Sequence, residues 1–558
     1  LNPTTPSRTR QSMAEIIDGG RGGVGEGGWV VAGSRFPPPL PPPAVAMASS
    51  SPPPSPTLRE PIFPDDGDES NEKREDNLRK KKKNRKKQQQ LTLIPLIFLI
   101  YFEVSGGPYG EEPAVQAAGP LFAILGFLVF PFVWSIPEAL VTAELATAFP
   151  GNGGYVVWAA EAFGPLAGSL MGSWKYLSGV INNAAYPVLC ADYLSRISPR
   201  FSGGVPRAAA VAGSTLALSF LNYTGLTVVG WAAVGLGAAS LAPFAVMAVA
   251  AAGRVRPGRW LESRTGGRRE WGIYFNTLFW NLNFWDNAST MAGEVERPGR
   301  TFPRALLAAG VLTCAGYLVP LMAATGALDV PQEMWSDGFL ADAAGMIVGE
   351  WLKIWVEVGA ILSAVGLYEA QLSSSSFQLL GMADLALLPR AFASRARWFR
   401  TPWLAIVVST AITLAVSFMT FSDIIASTNF LYSLGMLLEF ASFIWLRRKR
   451  PSLRRPFRVP LAVPGLVCMC LVPSAFLVFV MAVGTWPVYA ISAGLTALGV
   501  AVYYAMGLCK SRGWLEFRKV GEQGAAEDDD DDHHHHHRVA DCDGEGTART
   551  VGVRREVV

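Results

Sequence analysis

Between residues 91 and 509, long apolar runs alternate with short polar loops, and each run approaches the roughly 20 residues a helix needs to cross a bilayer. The pattern predicts twelve helices, near 91–117, 119–148, 165–191, 206–222, 226–252, 273–295, 302–327, 348–382, 403–419, 421–446, 459–483 and 486–508. The fold class is therefore all-α and integral to a membrane, with one polytopic domain over 91–509. Residues 1–90 carry glycine runs, the tract PPPLPPPAVA and a dense charged stretch, with too little apolar content for a core. They read as a disordered tail, and so do residues 510–558. Met47, in MASSSPPPSP, is a candidate start, and no signal peptide is read ahead of the first run.

Two of the runs are interrupted. The first, LTLIPLIFLIYFEV, gives way to SGGPYGEEP at 105–113 before resuming as AVQAAGPLFAI, and YFNTLFWNLNFWDNASTMAGEV carries Asp286 in its middle. Discontinuous helices in matching positions of two halves point to a transport site. Gly106 and Gly107 let the backbone leave helical geometry at low steric cost. Such backbone is tolerated at membrane depth only where it lines a cavity or is buried in protein. The carbonyl end of the first half-helix suits a cation, and the amide end of the second would suit an anion. Glu111 and Glu112 stand at that amide end and would repel a carboxylate. An amine is therefore the expected cargo, in preference to an amino acid.

Composition alters this picture in a few places. Of 558 residues 17% are charged, and the net charge of +3 averages over unlike segments. The mean hydropathy is +0.26. Lys and Arg in short loops mark the cytoplasmic side. The basic tract at 80–87 sets the N-terminus inside, and the loops holding Arg297, Arg300 and Arg304, residues 390–400 and residues 447–458 then fall inside too. The Arg-rich loop at 254–269 disagrees, because twelve helices put it outside. Both termini are expected in the cytoplasm, with the plasma membrane as the location. The six cysteines lack framework spacing and read as small packed residues. All five histidines form one run at 533–537, which leaves none for a proton relay or a metal site in the membrane. No metal, no other cofactor and no nucleic acid is expected.

An ionised side chain at mid-bilayer costs about 2.5–3.5 kcal/mol on insertion scales. Nevertheless Glu103, Glu111, Glu112, Glu138, Glu144, Asp286, Glu294, Glu357, Glu369 and Glu439 lie in or near the runs, opposed by Lys175 and Lys353. Protons, metal ions or a cationic cargo could offset them. Several have structural readings. Glu111 and Glu112 could stabilise a first helical turn, and Asp286 could cap the second half-helix of its run. Glu103 ends its half-helix, where the dipole disfavours negative charge, and function is the better reading there. Glu144 and Glu294 stand at inner ends, where a gate salt bridge outranks cargo binding. Glu138, after Pro137, is open to either reading. Phe284, Tyr109, Trp174, Tyr176, Tyr186, Tyr368 and Tyr432 could line a cavity, and Trp285, next to Asp286, stands out as a cation–π partner.

ELATAFPGNGGYVVWAAEAFGP (144–165) and GEVERPGRTFPRAL (293–306) resemble the inner-loop signatures of the amino acid–polyamine–organocation transporters. FEVSGGPYGEEPAVQAAGPL and NFWDNASTMAGEVERPGRTFPRAL are more similar still to the plant polyamine uptake transporters, which are L-type amino acid transporter-like. The resemblance covers about 91–509. It implies a LeuT-like core of two inverted five-helix repeats, discontinuous in helices 1 and 6, plus two C-terminal helices. It also implies proton-coupled import of putrescine, spermidine and spermine, with paraquat-like dications as further cargo. Some proton-coupled relatives carry a lysine on the fifth helix; residues 226–252 contain neither Lys nor Arg, so a carboxylate must carry the proton here.

On this reading the substrate site comprises Glu103, Ser105, Gly106, Gly107, Tyr109, Glu112, Trp285 and Asp286. Trp285 stacks on the aliphatic amine, and the acids pair with separated ammonium groups. Glu103, Glu138 and Asp286 are the candidates for holding the coupled proton. The rival readings are a cationic or neutral amino acid transporter of the same fold and an amine sensor or channel without coupling. An enzyme is disfavoured, since no histidine, cysteine pair or Ser/His/Asp set lies in the membrane.

Overall fold

A computed structural model describes residues 90–263, 269–418, 421–482 and 484–518. The expected N-terminal tail up to residue 89, including Met47 and the tract at 80–87, lies outside the described residues. So do the histidine run and the tail beyond 518.

The described residues are helical, with a single isolated bridge between Leu91 and Val295 and no sheet. Helices α1 (Leu93–Val104) and α2 (Glu112–Ala118) are the two halves of the first run. The second run forms α3 (Pro120–Val133) and α4 (Ser135–Ala148), which meet at Trp134. Pro131 and Pro137 flank that joint, and each removes a backbone donor and crowds the preceding turn. A short connector, α5 (Tyr155–Phe163), leads into α6 (Pro165–Asn183) and α7 (Ala185–Ile197). Next come α8 (Gly204–Tyr223) and α9 (Leu226–Ala251). The sixth run is α10 (Trp271–Asn281), a non-helical stretch at 282–286 and a 3₁₀ turn (Asn287–Glu294). The chain continues through α11 (Pro298–Ala327), α12 (Phe339–Ile347), α13 (Glu350–Asp384), α14 (Trp403–Val416), α15 (Phe421–Lys449), α16 (Val463–Ala482) and α17 (Trp486–Ser511).

Eight helical segments among the described residues are long and apolar enough to cross a membrane. The expected runs 91–117 and 273–295 are absent from that set because each is broken at its middle. The run 403–419 yields a helix of only 14 residues, and α6 is diluted by Lys175, Asn182 and Asn183. Large apolar side chains such as Phe132, Phe220, Val249 and Leu307 face outward. Outward apolar faces on helices of this length fit a hydrocarbon surround.

The two broken runs lie antiparallel. The Leu91 amide donates to the Glu294 carbonyl (2.8 Å), the Asn281 side chain to the Gly110 carbonyl (3.0 Å), and the Glu270 amide to the Ala117 carbonyl (3.1 Å). The start of one run thus meets the end of the other, break beside break. Helix α11 has 30 residues, about 45 Å at 1.5 Å per residue, and separates two charged ends. Near its start, Arg395 holds Glu294 (2.6 Å), and Arg447 (2.6 Å) and Arg455 (3.0 Å) hold Glu144. Both acids thus carry a salt bridge, as expected of them. Near its finish, Arg259 holds Asp329 (3.1 Å) and Arg254 donates to the Ile347 carbonyl (2.9 Å). Arg254 and Arg259 of the discordant loop accordingly sit at the end opposite Arg395, Arg447 and Arg455.

Candidate functional site

A cavity of about 510 Å³ opens between the broken runs, α7 and α13. Glu103, Gly106 and Tyr109 reach it from the first break and Phe284 from the second. Glu103 is buried, and one carboxylate oxygen accepts a hydrogen bond from the Asn287 side chain (3.1 Å). Gly106 turns its carbonyl to the Ser363 hydroxyl. A methyl group on Gly106 would stand 2.6 Å from Leu367 and 2.7 Å from the Ser363 oxygen, so both side chains would have to shift to admit one. Tyr109 is clamped by donating to the carbonyls of Val356 (3.2 Å) and Ser240 (3.3 Å). Part of the polar wall is a closed triangle: the Asn182 side-chain amide donates to the Tyr186 hydroxyl and the Gln371 oxygen (both 3.0 Å), and Gln371 donates to Tyr186 (2.8 Å).

Three acids line this cavity, Glu103, Asp192 and Asp337, and no described lining residue is Lys, Arg or His. Asp192 bonds Arg207 (2.6 Å) while about half exposed. The wall therefore presents carboxyls, one of them paired with Arg207 from outside the lining, and no basic side chain among its described residues; its aromatic members include Tyr186, Trp280 and Phe284.

The other expected site residues do not line the cavity. The Ser105 hydroxyl accepts the Gly107 amide (3.1 Å), closing the turn that Gly107 makes at φ +93. Glu112 is consumed as an anchor. It accepts the Gly110 amide (2.9 Å) and the amides of Gly338 (3.2 Å) and Leu340 (3.3 Å), which fixes the start of α12 onto the first break. Trp285 is buried with its indole nitrogen donating to the Leu282 carbonyl (3.0 Å), so it braces the break from behind. The aromatic that faces the cavity is its neighbour Phe284, held at φ +70. Asp286 neither caps a helix with its side chain nor meets the cavity. It pairs with the Lys175 ammonium at 2.6 Å, both side chains being buried.

Lys175 is the centre of a second polar cluster whose assembly the sequence did not disclose. Its ammonium lies 3.8 Å from the centre of the Tyr432 ring and 2.9 Å from the Met436 sulfur. Tyr432 donates to Glu138 (2.6 Å), which also accepts the Trp285 amide (2.9 Å). Glu439, one turn beyond Met436, is fully buried beside Asp286. Sequence reasoning named Lys175 and these acids, but its only clue to their meeting was the rarity of a lone lysine among so many carboxyls.

A family model described as amino acid permease matches residues 91–505. The chain is 51% identical to polyamine transporter PUT1 of Oryza sativa subsp. japonica, over 76% of this chain and 80% of that protein. It is 51% identical to a probable polyamine transporter of Arabidopsis thaliana, over 76% of this chain and 89% of the relative. With polyamine transporter RMV1 of Arabidopsis thaliana it shares 47% identity, over 76% of this chain and 87% of the relative.

Proposed function

We propose, from the premise that this chain belongs to the amino acid permease family, that it carries polyamines such as putrescine, spermidine and spermine across a membrane. The observation that carries this reading is the cavity wall, with three carboxyls and no basic side chain among its described residues. A cargo with several ammonium groups matches that charge; a zwitterion would bring an unmatched carboxylate. The names of the relatives point the same way.

In this reading Glu103 holds one ammonium and Asp192 and Asp337 receive others. Phe284, Tyr109 and Tyr186 pack on the chain between, each aromatic contact contributing about 0.5–2 kcal/mol according to desolvation. Gly106 supplies the close backbone approach. Ser105, Gly107 and Glu112 shape the first break, and Trp285 braces the second, instead of touching cargo. Transport is coupled to a proton, with Glu103, Glu138 and Asp286 as its candidate carriers. The antiparallel broken runs support a twelve-helix fold with two inverted five-helix repeats and two added helices. The Arg-rich end that meets Glu144 and Glu294 is assigned to the cytoplasm with both termini, and the membrane to the plasma membrane.

The test is uptake of radiolabelled spermidine by a transport-deficient cell, with the chain's abundance at the membrane measured alongside. Putrescine should compete, whereas arginine and leucine should not. Glu103→Gln removes a charge-assisted bond of about 1.5–3 kcal/mol, which corresponds to about a 10–100-fold rise in KM. Stronger competition by arginine or leucine than by putrescine would defeat the assignment.

A further inference from the structure

Three buried carboxyls, Glu138, Asp286 and Glu439, surround one ammonium, that of Lys175. Neither oxygen of Glu439 receives a hydrogen bond from a donor among the described residues, and its carboxyl is buried beside that of Asp286. Two carboxyl groups in such contact cannot both be ionised; a proton between them turns repulsion into a hydrogen bond. The whole cluster is neutral only when two of its three carboxyls hold protons. Glu138 accepts two hydrogen bonds on one oxygen, from Trp285 and Tyr432, and donors placed this way favour its charged form, which leaves Glu439 and Asp286 as the pair that shares a proton. The groups facing Glu439 complete the inventory: Lys175 from α6, Tyr155 from α5, Glu138 from α4, Asp286 from the break, Cys470 from α16 and Tyr432 on its own helix.

The cluster adjoins the cavity through a single step of chain. Asp286 is followed by Asn287, whose side chain donates to Glu103. An ammonium that engages Glu103 therefore engages a carboxylate bonded to the residue next to Asp286. The same break is tied to α15 by the Phe284 amide, which donates to the Tyr432 hydroxyl (2.9 Å). Glu439 is thereby linked to both sides of the break while lying outside the cavity.

Resting on the polyamine reading, we infer that Glu439 and Asp286 together form the proton site of the transporter, with Lys175 as a fixed counter-charge that permits the proton to leave. One proton binds the carboxylate pair from water on the entry side. It is released to water on the other side when Lys175 bridges both carboxylates, so each cycle moves one proton with the cargo. Glu103 remains the cargo carboxylate and Glu439 never meets the amine.

The decisive experiment uses the full chain in liposomes that enclose a pH-sensitive dye. Two quantities are read: exchange of external radiolabelled spermidine for internal spermidine, which needs no net proton movement, and lumenal acidification on adding spermidine. The wild type should do both. Glu439→Gln should keep exchange and lose acidification, and Glu439→Asp, which retains an exchangeable proton, should keep both. Acidification by Glu439→Gln at the wild-type rate overturns the inference while exchange upholds the polyamine reading. A wild type that exchanges spermidine without acidification overturns it as well. If Glu439→Gln does not assemble, Glu439→Asp decides: its shorter side chain alters the contact with Asp286, so acidification with the same pH dependence as the wild type overturns the inference. A wild type that exchanges no spermidine overturns the polyamine reading itself, and this inference with it.

Discussion

Replacing Lys175 by methionine tests the buried pair apart from any transport assay. Charges 2.6 Å apart attract by about 6 kcal/mol at an effective dielectric near 20, and dehydrating both groups offsets much of that. Removing one partner is another matter, because the remaining charge keeps its dehydration cost and loses its compensation. Loss of one side of such a pair costs about 3–5 kcal/mol. Methionine nearly matches the volume of lysine, so little of the cost would come from an empty space. Lys175→Met should therefore be strongly destabilised, as should Asp286→Asn, which strands the ammonium. The double variant removes both charges and should recover most of the loss, with a coupling of about 3 kcal/mol. Thermal stability of the four solubilised proteins, followed by fluorescence-detected size exclusion, gives the ordering. A double variant whose loss equals the sum of the two single losses would refute the pairing, and so would a Lys175→Met protein as stable as the wild type.

Further outcomes follow from the same geometry. Glu144→Gln strands Arg447 and Arg455 in a buried site and should cost about 3–5 kcal/mol, whereas Glu294→Gln, whose partner Arg395 is about a quarter exposed, should cost about 1 kcal/mol or less; equal melting losses would contradict this contrast. Gly106→Val forces methyl groups onto Leu367 and Ser363 and should abolish spermidine uptake at normal membrane abundance, so wild-type uptake would mean the break is free to move aside. Gly381→Ala presses a methyl group against the Gly153 backbone, which cannot rotate away as a side chain would, and should cost about 1–3 kcal/mol or more. Measured expression and melting would check it, and an unaffected protein would show that this helix–loop contact is loose.

Both breaks were legible in the sequence for a local reason. Gly106, Gly107 and Pro108 cannot sustain a helix, and Asp286 with Asn287 behind it reads as the start of a second half-helix. Glu103 could be singled out because it stands at a carbonyl end, a property of its own turn. The residues that stand away from the cavity depend on what comes from elsewhere in the chain. Nothing near Glu112 announces that the amides of Gly338 and Leu340 will reach it. Nothing near Asp286 reveals that Lys175, on a different helix, will occupy the place reserved for cargo. Trp285 and Phe284 were exchanged for a subtler reason. Helical or extended phase predicts which side of a segment a residue faces, and a residue at φ +70 resets that phase. The count of long apolar helices fell short of twelve because interruptions and polar residues, the features that build the site, also erase the signature of a span.

The side-chain amide of Asn281 bridges the two interruptions, as that of Asn287 does at Glu103. Asn281 donates to the Gly110 carbonyl and accepts from the Tyr317 hydroxyl (3.0 Å), so its side chain is engaged at both ends. Neither bend can straighten alone without leaving a dehydrated dipole bereft of its mate. Any rearrangement that spares this knot must carry both bends as one rigid hub, with the surrounding helices swinging about it.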